Sequence, residues 1–270
     1  MTKKINVMAV QMSSVIGDKE QNIKNVQTLI EQNIKPETDI IVLPEVWTVG
    51  WACDYFKESA EELKNSFVLD FLSKTAKKYN VNIIGGSFIT KKADKLYNTC
   101  PVLNRNGELM AQYDKCHLFS YYGDKEGEYI ANGEYPVIVD IEGIRTGLSI
   151  CYDIRFPEIY RSYALNGVDL MVNVAAWGIK KEIPWVSMTH SRAVENQCYF
   201  VALTQSGPIL NGDFNLGKSF IINYKGDNLA EITHGEGTIS AELNFDEQEI
   251  FRQKCTVLKD IHANYDVKEI

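Results

Sequence analysis

Several features are scarce or missing in this sequence, and each absence excludes a class of protein. The six cysteines among 270 residues form no C-x-x-C pair, which argues against a zinc knuckle or a thioredoxin-like motif. Basic charge is not in excess: the formal net charge is −8, so we expect no broad surface for nucleic-acid phosphates. Linkers and low-complexity tracts are missing too, which favours a single domain.

A long hydrophobic run at the start of the chain is also missing. The segment MTKKINVMAVQMSS has about seven apolar-leaning residues before the polar stretch GDKEQN, too few for a signal peptide or a membrane span. We therefore expect a cytoplasmic protein with no membrane partner. In that reducing compartment its cysteines should be free thiols.

What is present is an alternation of apolar strands and amphipathic helices. Strands are predicted at 5–11, 39–45 and 81–88, with helical spacing after the first of them and from Glu58 to Lys78. Residues 98–139 predict a meander of shorter strands. This rhythm is typical of an α/β protein.

The second half of the chain continues the alternation around a cysteine. The strand RTGLSI (145–150) leads directly to Cys151, and Pro157 lies where the first turn of a helix tolerates proline. The remaining predictions are helices at 159–167 and 181–197 and strands at 169–177, 198–204 and within 217–242.

Cys151 is a candidate nucleophile because it follows a strand and precedes a helix. Backbone N–H groups of such a turn could hold an oxyanion, and the partial positive charge of the helix start favours a thiolate. The alternative is a buried structural cysteine, the commoner fate of this residue type. Position alone does not decide between them.

A cysteine nucleophile needs a base or a cation, since a free thiol has a pKa of about 8.5. The four histidines (His117, His190, His234 and His262) lie in no papain-type context. Glu45 follows the apolar strand IIVLP, at the strand end where α/β sheets bind ligands, and a carboxylate can act as the base. Lys115 lies among aromatic and apolar residues and could stabilise an oxyanion. An exposed glutamate and a surface lysine remain the alternatives.

Together the three segments resemble the signature blocks of the nitrilase (carbon-nitrogen hydrolase) superfamily. The blocks are LPEVW around Glu45, YDKCHLF around Lys115 and SICYDIRFPE around Cys151, in the family's order. Further matches, including AVQM, YNT, NVAAW, RAVENQCYFVA and GKSFIINYKGDNLAEI, extend the resemblance over essentially the whole chain.

The resemblance implies a role for each residue. Cys151 would be the nucleophile, Glu45 the general base and acid, and Lys115 would form an oxyanion hole with the backbone N–H of Tyr152. A second glutamate that orients the lysine is expected about seven residues before a glycine, which indicates Glu126, with Glu128 as the alternative. No metal and no cofactor are implied.

The resemblance also implies a four-layer αββα sandwich, which the strand and helix pattern alone would not single out. We expect one carbon-nitrogen hydrolase domain over residues 1–250. Residues 251–270 would form a tail that docks on a partner subunit. The expected assembly is a homodimer or a higher homo-oligomer.

The residues after Cys151 look like those of ω-amidases and related amidases of small amides. A substrate such as 2-oxoglutaramate ends in a carboxylate and needs a cation, for which Arg155 is the candidate, unless it pairs with Glu158 or Glu195. The aromatic residues that could line the pocket are Phe119, Tyr121, Tyr122 and Trp177.

Other functions stay open at this point. Deaminated-glutathione amidase and N-carbamoyl amino acid hydrolase would use the same site, whereas the Tyr152-Asp153 pair disfavours a true nitrilase. A catalytically inactive binding protein and a redox-sensing cysteine protein are alternatives of another class.

Overall fold

Strands and helices alternate along the chain much as the sequence predicts. The structure, a computed structural model, describes residues 3–120, 125–262 and 268–269. The strands are β1 (Lys4–Gln11), β2 (Ile40–Val42), β3 (Asn82–Ile84), β4 (Phe88–Lys92), β5 (Lys95–Leu103), β6 (Leu109–Asp114), β7 (Val137–Ile141), β8 (Ile144–Ile150), β9 (Leu170–Ala175), β10 (Tyr199–Thr204), β11 (Ser219–Ile222), β12 (Asn228–Ile232) and β13 (Gly237–Asn244). The helices are α1 (Lys19–Asn33), α2 (Phe56–Ser59), α3 (Phe67–Tyr79), α4 (Pro157–Leu165), α5 (Glu182–Asn196) and α6 (Phe245–Lys254).

The strands form two mixed sheets. One has the order β13-β1-β2-β3-β5-β4, with β6 also pairing with β5, and the other has the order β12-β11-β10-β9-β8-β7. Within each sheet the middle strands are parallel, as in the pairs β1 with β2 and β8 with β9, and the outer strands are antiparallel. Parallel strands need both faces covered, which the helices and the second sheet provide.

The two faces of β1 show how the layers stack. Val7 and Ala9 belong to a core that is shared with the six-stranded sheet and with α4 and α5. Met8 and Val10 point to the opposite face and pack with apolar residues of α1 and α3. The expected four-layer αββα sandwich, in one domain, is therefore confirmed.

One helix is shorter than predicted. The spacing from Glu58 to Lys78 predicts a continuous helix, but α3 begins at Phe67. Ser66 caps this helix by accepting a hydrogen bond from the backbone N–H of Leu69, and its own hydroxyl donates to Glu61. Because Glu61 also accepts from the backbone N–H of Val68, the preceding segment is held as a separate turn.

The C-terminal region contains a helix that runs past the expected domain boundary. Helix α6 spans Phe245–Lys254, whereas the sequence predicts a tail from residue 251. Asn244 caps the helix, and Phe245 is buried in the main core with Phe251 packed against it. The first residues of the expected tail thus pack against the chain itself.

Candidate active site

Three strand ends deliver the three predicted catalytic residues to one place. Glu45 follows β2 and Lys115 follows β6 in the seven-stranded sheet, and Cys151 follows β8 in the six-stranded sheet. Glu45 and Lys115 are fully buried, and Cys151 keeps 7% of its surface exposed. The site therefore lies where the two sheets meet.

Lys115 lies between two carboxylates. Its Nζ is 2.9 Å from Glu45 Oε1 and 3.0 and 2.9 Å from the two carboxylate oxygens of Glu126. Burial lowers the pKa of this lysine, but the charges of Glu126 and Glu45 outweigh it and raise the pKa well above its usual value. Lys115 is therefore a permanent cation.

Glu126 is the glutamate that contacts the lysine. It is fully buried, and its Oε2 also accepts a hydrogen bond from the backbone N–H of Phe119 at 2.7 Å. Burial is the main cause that raises its pKa, while Lys115 lowers it. Glu128 is exposed and pairs with Lys125 at 2.9 Å, so the structure places it away from Lys115.

Glu45 is held at every oxygen by residues whose roles the sequence analysis missed. The side-chain amide of Asn98 donates to Oε1 at 2.9 Å, and the backbone N–H of Ala176 donates to Oε2 at 2.7 Å. Gln205 donates to the backbone oxygen of Glu45 at 2.5 Å. Asn98 and Ala176 lie in the family-like blocks YNT and NVAAW, which could have indicated that these residues belong to the site. These bonds fix the carboxylate in one orientation.

Cys151 occupies a strained turn. Its φ of +45° is in the left-handed region that non-glycine residues rarely adopt, and it begins a 3₁₀ helix, Cys151–Arg155, of which Tyr152 is the second residue. Backbone N–H groups at such a helix start have no acceptor within the helix. Strain of this kind is common at functional sites.

The surroundings of the Cys151 sulfur favour the protonated thiol. Burial, the negative charge of Glu45 and a hydrogen bond to that carboxylate raise the pKa of the Cys151 thiol well above its usual value, although Lys115 lowers it. A buried carboxylate beside the sulfur outweighs the partial charge of the turn. The thiol is therefore protonated at neutral pH and has a base next to it.

Asp153 links the segment around Lys115 to the segment around Cys151. Its Oδ2 accepts from the Tyr113 hydroxyl at 2.6 Å and from the backbone N–H of Ile150 at 2.9 Å. Its Oδ1 accepts from the backbone N–H of His117 at 3.0 Å and lies 2.9 Å from that residue's Nδ1. Tyr113 and His117 flank Lys115, and Ile150 precedes Cys151. His117 is thus a partner of Asp153.

A cavity of about 1000 Å³ opens onto Cys151. Phe119 and Trp177 line it as predicted, and so does Trp51, whose ring centroid is 5.0 Å from Lys115 Nζ. Cys53, Asp54, Lys125, Glu128, Tyr129, Lys180, Lys181 and Asp213 complete its polar wall, with apolar and glycine residues between them. Such a concave site beside reactive groups is the expected form of a substrate pocket.

The remaining predicted pocket residues have different positions. Tyr121 and Tyr122 lie outside the described residues. Arg155 is not among the residues that line the cavity, and its guanidinium carbon lies 5.3 Å from the Trp177 ring centroid. Glu195, one suggested ion-pair partner of Arg155, instead pairs with Arg192 at 2.8 Å.

A family model described as carbon-nitrogen hydrolase matches residues 6–253. The chain belongs to the carbon-nitrogen hydrolase family. It is 33% identical over 261 residues to the 2-oxoglutaramate amidase of Bacillus subtilis (strain 168), covering 97% of this chain and 99% of the relative. It is 31% identical over 272 residues to omega-amidase NIT3 of Saccharomyces cerevisiae, covering 96% and 94%. This hydrolase is therefore an enzyme that cleaves amides.

Solved structures of the family agree with the fold. Saccharomyces cerevisiae Nit3, a member of branch 10 of the nitrilase superfamily, superposes with a TM-score of 0.86 at 32% identity, covering 93% of this chain and 94% of that one. XC1258 of Xanthomonas campestris, at 24% identity, has a TM-score of 0.90 over 98% and 99% of the chains. The second likeness supports the fold alone.

Two features are absent from the hydrolase over residues 3–120, 125–262 and 268–269. These residues contain no group of three or more His, Cys, Asp or Glu side chains that could hold a metal ion. Over the same residues, no helix has both the length and the apolar character that a membrane span requires.

Proposed function

We propose that this hydrolase cleaves the terminal amide of a short ω-monoamide such as 2-oxoglutaramate through a thioester on Cys151. The observation that carries the proposal is the buried cluster of Glu45, Lys115 and Glu126 beside a protonated thiol that opens onto a cavity. A base, an oxyanion donor and a nucleophile are the three groups that acyl transfer requires.

In the first half of the reaction, Glu45 takes the proton of the Cys151 thiol as the sulfur attacks the amide carbon. Charge develops on the carbonyl oxygen, which accepts hydrogen bonds from Lys115 Nζ and the backbone N–H of Tyr152. Once protonated, Glu45 loses its charge, so its bond to Lys115 weakens and an ammonium N–H can turn to the oxyanion. Glu126 keeps Lys115 charged and oriented meanwhile.

Collapse of this intermediate breaks the carbon–nitrogen bond. The proton on Glu45 passes to the nitrogen, ammonia leaves, and the acyl group remains as a thioester on Cys151. Glu45 then removes a proton from water, which attacks the thioester carbon, and the thiolate that leaves recovers this proton. The net reaction converts one amide and one water to a carboxylic acid and ammonia, with no cofactor.

The substrate class is supported by the relatives and by the cavity. The curated relatives named 2-oxoglutaramate amidase, from Bacillus subtilis and Paenarthrobacter nicotinovorans, are 33% and 34% identical to this chain. Lys181 and several aromatic rings line the cavity, and they suit a short chain that ends in a carboxylate.

A second candidate is deaminated-glutathione amidase, because a cavity of about 1000 Å³ is larger than a five-carbon amide requires. N-carbamoyl amino acid hydrolysis would use the same catalytic residues. A catalytically inactive binding protein is the alternative of another class, and it predicts that no amide is turned over.

The experiment is to measure ammonia release from a panel of substrates: 2-oxoglutaramate, succinamate, glutamine, deaminated glutathione, an N-carbamoyl amino acid and a simple nitrile. The variants are Cys151→Ala and, as a matched thiol control, Cys116→Ala, which removes a partly buried cysteine. We expect the highest kcat/KM on the short ω-monoamides, lost in Cys151→Ala and kept in the control. Activity on deaminated glutathione alone would make that compound the substrate in place of a short ω-monoamide. No activity on any compound would favour the inactive binding protein.

We also propose that the enzyme is a homodimer or higher homo-oligomer and acts in the cytoplasm. All six cysteines are free thiols, which suits a reducing compartment. Leu165 on α4 and Ile183 and Val194 on α5 expose 58%, 79% and 48% of their surface, and such apolar side chains favour a subunit contact. Light scattering that gives a monomer mass at micromolar concentration would contradict the assembly.

A further inference from the structure

Most charged side chains of the cavity wall already have a partner of opposite charge or a hydrogen bond. Lys180 Nζ lies 3.0 Å from Asp213 Oδ2, and Lys125 Nζ lies 2.9 Å from Glu128 Oε1. These two lysines are largely exposed, with 79% and 68% of the side chain accessible. Their charges are therefore neutralised locally and screened by solvent.

The third acidic residue of the cavity wall is Asp54. Asp54 interacts electrostatically with Tyr129: its negative charge is the main cause that raises the pKa of that tyrosine. A negative side chain at this position disfavours an anion nearby. The part of the wall formed by Asp54 is thus unsuited to the carboxylate end of a substrate.

Lys181 is different from the other lysines of the wall. Within the described part of the chain, no carboxylate lies within ion-pair distance of its Nζ. This Nζ instead lies 4.4 Å from the ring centroid of Phe119 and 6.0 Å from that of Trp177. Both rings are nearly fully buried and line the same cavity as Cys151. The pKa of Asp213 is lowered mainly by its hydrogen bond to Lys180, and the charge of Lys181 contributes least.

The backbone of Lys181 is fixed on the turn that follows Trp177. The indole N–H of Trp177 donates to the Lys181 backbone oxygen at 2.6 Å, and the Lys181 N–H donates to the Gly178 oxygen at 3.0 Å. Lys181 is also partly buried, unlike its neighbour Lys180. The cation is therefore presented from a defined position, against aromatic rings that exclude water from one side.

We propose that Lys181 binds the distal carboxylate of the substrate and so makes the enzyme specific for anionic monoamides. This inference rests on the proposed attack of Cys151 on the amide end. An ammonium held against aromatic rings has no strong hydrogen-bond acceptor there, and a carboxylate supplies one through a charge-assisted hydrogen bond. The flexible stem of lysine suits acids whose chains differ by a carbon.

Arg155, the cation expected from the sequence, fits this role less well. Its guanidinium contacts Trp177, but it does not line the cavity that opens onto Cys151. Lys181 contacts the same ring and does line the cavity. In the sequence Lys181 is only the second lysine of the pair Lys180-Lys181. In the fold it lies against Phe119 and Trp177, whereas Lys180 is exposed.

The test compares an anionic and a neutral amide of similar size, succinamate and valeramide, in the full-length enzyme. Lys181→Met keeps an apolar stem over Phe119 and Trp177 but removes the charge, Lys181→Arg keeps the charge, and Lys180→Met is the matched control. We expect the ratio of kcat/KM for succinamate to kcat/KM for valeramide to fall about 10- to 100-fold in Lys181→Met, mainly through KM. We expect Lys181→Arg to recover part of the ratio and Lys180→Met to alter it less than about threefold.

An unchanged ratio in Lys181→Met, or an equal change in Lys180→Met, would overturn the proposal. Binding of succinate to the Cys151→Ala protein, measured by calorimetry, tests the anion site without turnover. Loss of succinate binding in Lys181→Met/Cys151→Ala supports the site even if no amide is hydrolysed, and retained binding contradicts it. Failure of the anion site is thereby distinguished from failure of the proposed reaction.

Discussion

Lys115 Nζ contacts both carboxylate oxygens of Glu126, at 3.0 and 2.9 Å, in a fully buried ion pair. The same ammonium is 2.9 Å from Glu45, so one cation serves two carboxylates. Burying these charges is costly, and such an arrangement is retained where a function requires it. In the proposed mechanism the pair with Glu126 persists while the pair with Glu45 weakens.

Neutralising Glu126 should impair the chemical step. In Glu126→Gln the amide oxygen can still accept a hydrogen bond from Lys115, but the charge that orients the ammonium is lost. We expect kcat on succinamate to fall about 100-fold with a smaller change in KM, as for the loss of an oxyanion donor. Glu128→Gln, which alters the exposed glutamate, should stay within about threefold of the parent. Equal effects of the two variants would contradict the role of Glu126.

The Asp153→Asn substitution should weaken the packing of both the Lys115 segment and the Cys151 segment. The amide nitrogen that it introduces would face hydrogen-bond donors such as the Tyr113 hydroxyl or the backbone N–H of Ile150, which a carboxylate satisfies. We expect the free energy of unfolding to drop by about 3 kcal/mol and kcat to fall about tenfold or more, since small misplacements of catalytic groups are costly. Urea denaturation and steady-state kinetics measure the two effects. Tyr113→Phe, which removes one of these bonds, should show a smaller loss of both.

The protonation state of Cys151 predicts the pH dependence of its alkylation. Because burial and Glu45 raise its pKa well above the usual value, the thiol stays protonated at neutral pH. The rate of alkylation by iodoacetamide should therefore keep rising with pH above about pH 9, beyond the range of an ordinary thiol. Mapping the adduct by mass spectrometry separates Cys151 from the other thiols. A plateau at neutral pH would show a resting thiolate.

The buried Cys198 should make the fold less stable in alkali. Burial raises the pKa of its thiol to about 12, whereas an unfolded cysteine titrates at about 8.5. The folded state thus retains a proton that the unfolded state releases. This contribution to stability is complete below the unfolded pKa and is lost as the pH rises toward the folded value. Between these values, removing the thiol in Cys198→Ala should flatten the decline of unfolding free energy by roughly 1.4 kcal/mol per pH unit. Parallel declines would contradict this.

Much of the site could be predicted because Glu45, Lys115 and Cys151 lie in three blocks, LPEVW, YDKCHLF and SICYDIRFPE, that resemble those of the carbon-nitrogen hydrolase family. Glu45 and Cys151 also follow apolar strands, which local sequence indicates well, and strand ends are where α/β sheets bind ligands. The choice between Glu126 and Glu128 depended on a loop, where a shift of one residue changes which side chain points inward. The sequence favoured Glu126, with Glu128 as the alternative, and the structure shows the expected contact of Glu126 with Lys115.

The contacts that orient Glu45 could not be predicted, since they join distant segments. Asn98 and Ala176 lie 53 and 131 residues from it along the chain. The raised pKa of the Cys151 thiol could not be predicted for a related reason: it depends on burial and on a carboxylate from the other sheet. Likewise, Lys181 is distinguished from Lys180 by aromatic neighbours that only the folded chain supplies.

Direct observation of the acyl-enzyme tests the central claim. The enzyme would be mixed with succinamate, quenched in acid during the first turnovers, digested and mapped by mass spectrometry. We predict a succinyl group on Cys151, formed as ammonia is released and absent from both Cys151→Ala and the zero-time sample. Ammonia release by Cys151→Ala at the parent's rate, or an acyl group on another residue, would contradict the account.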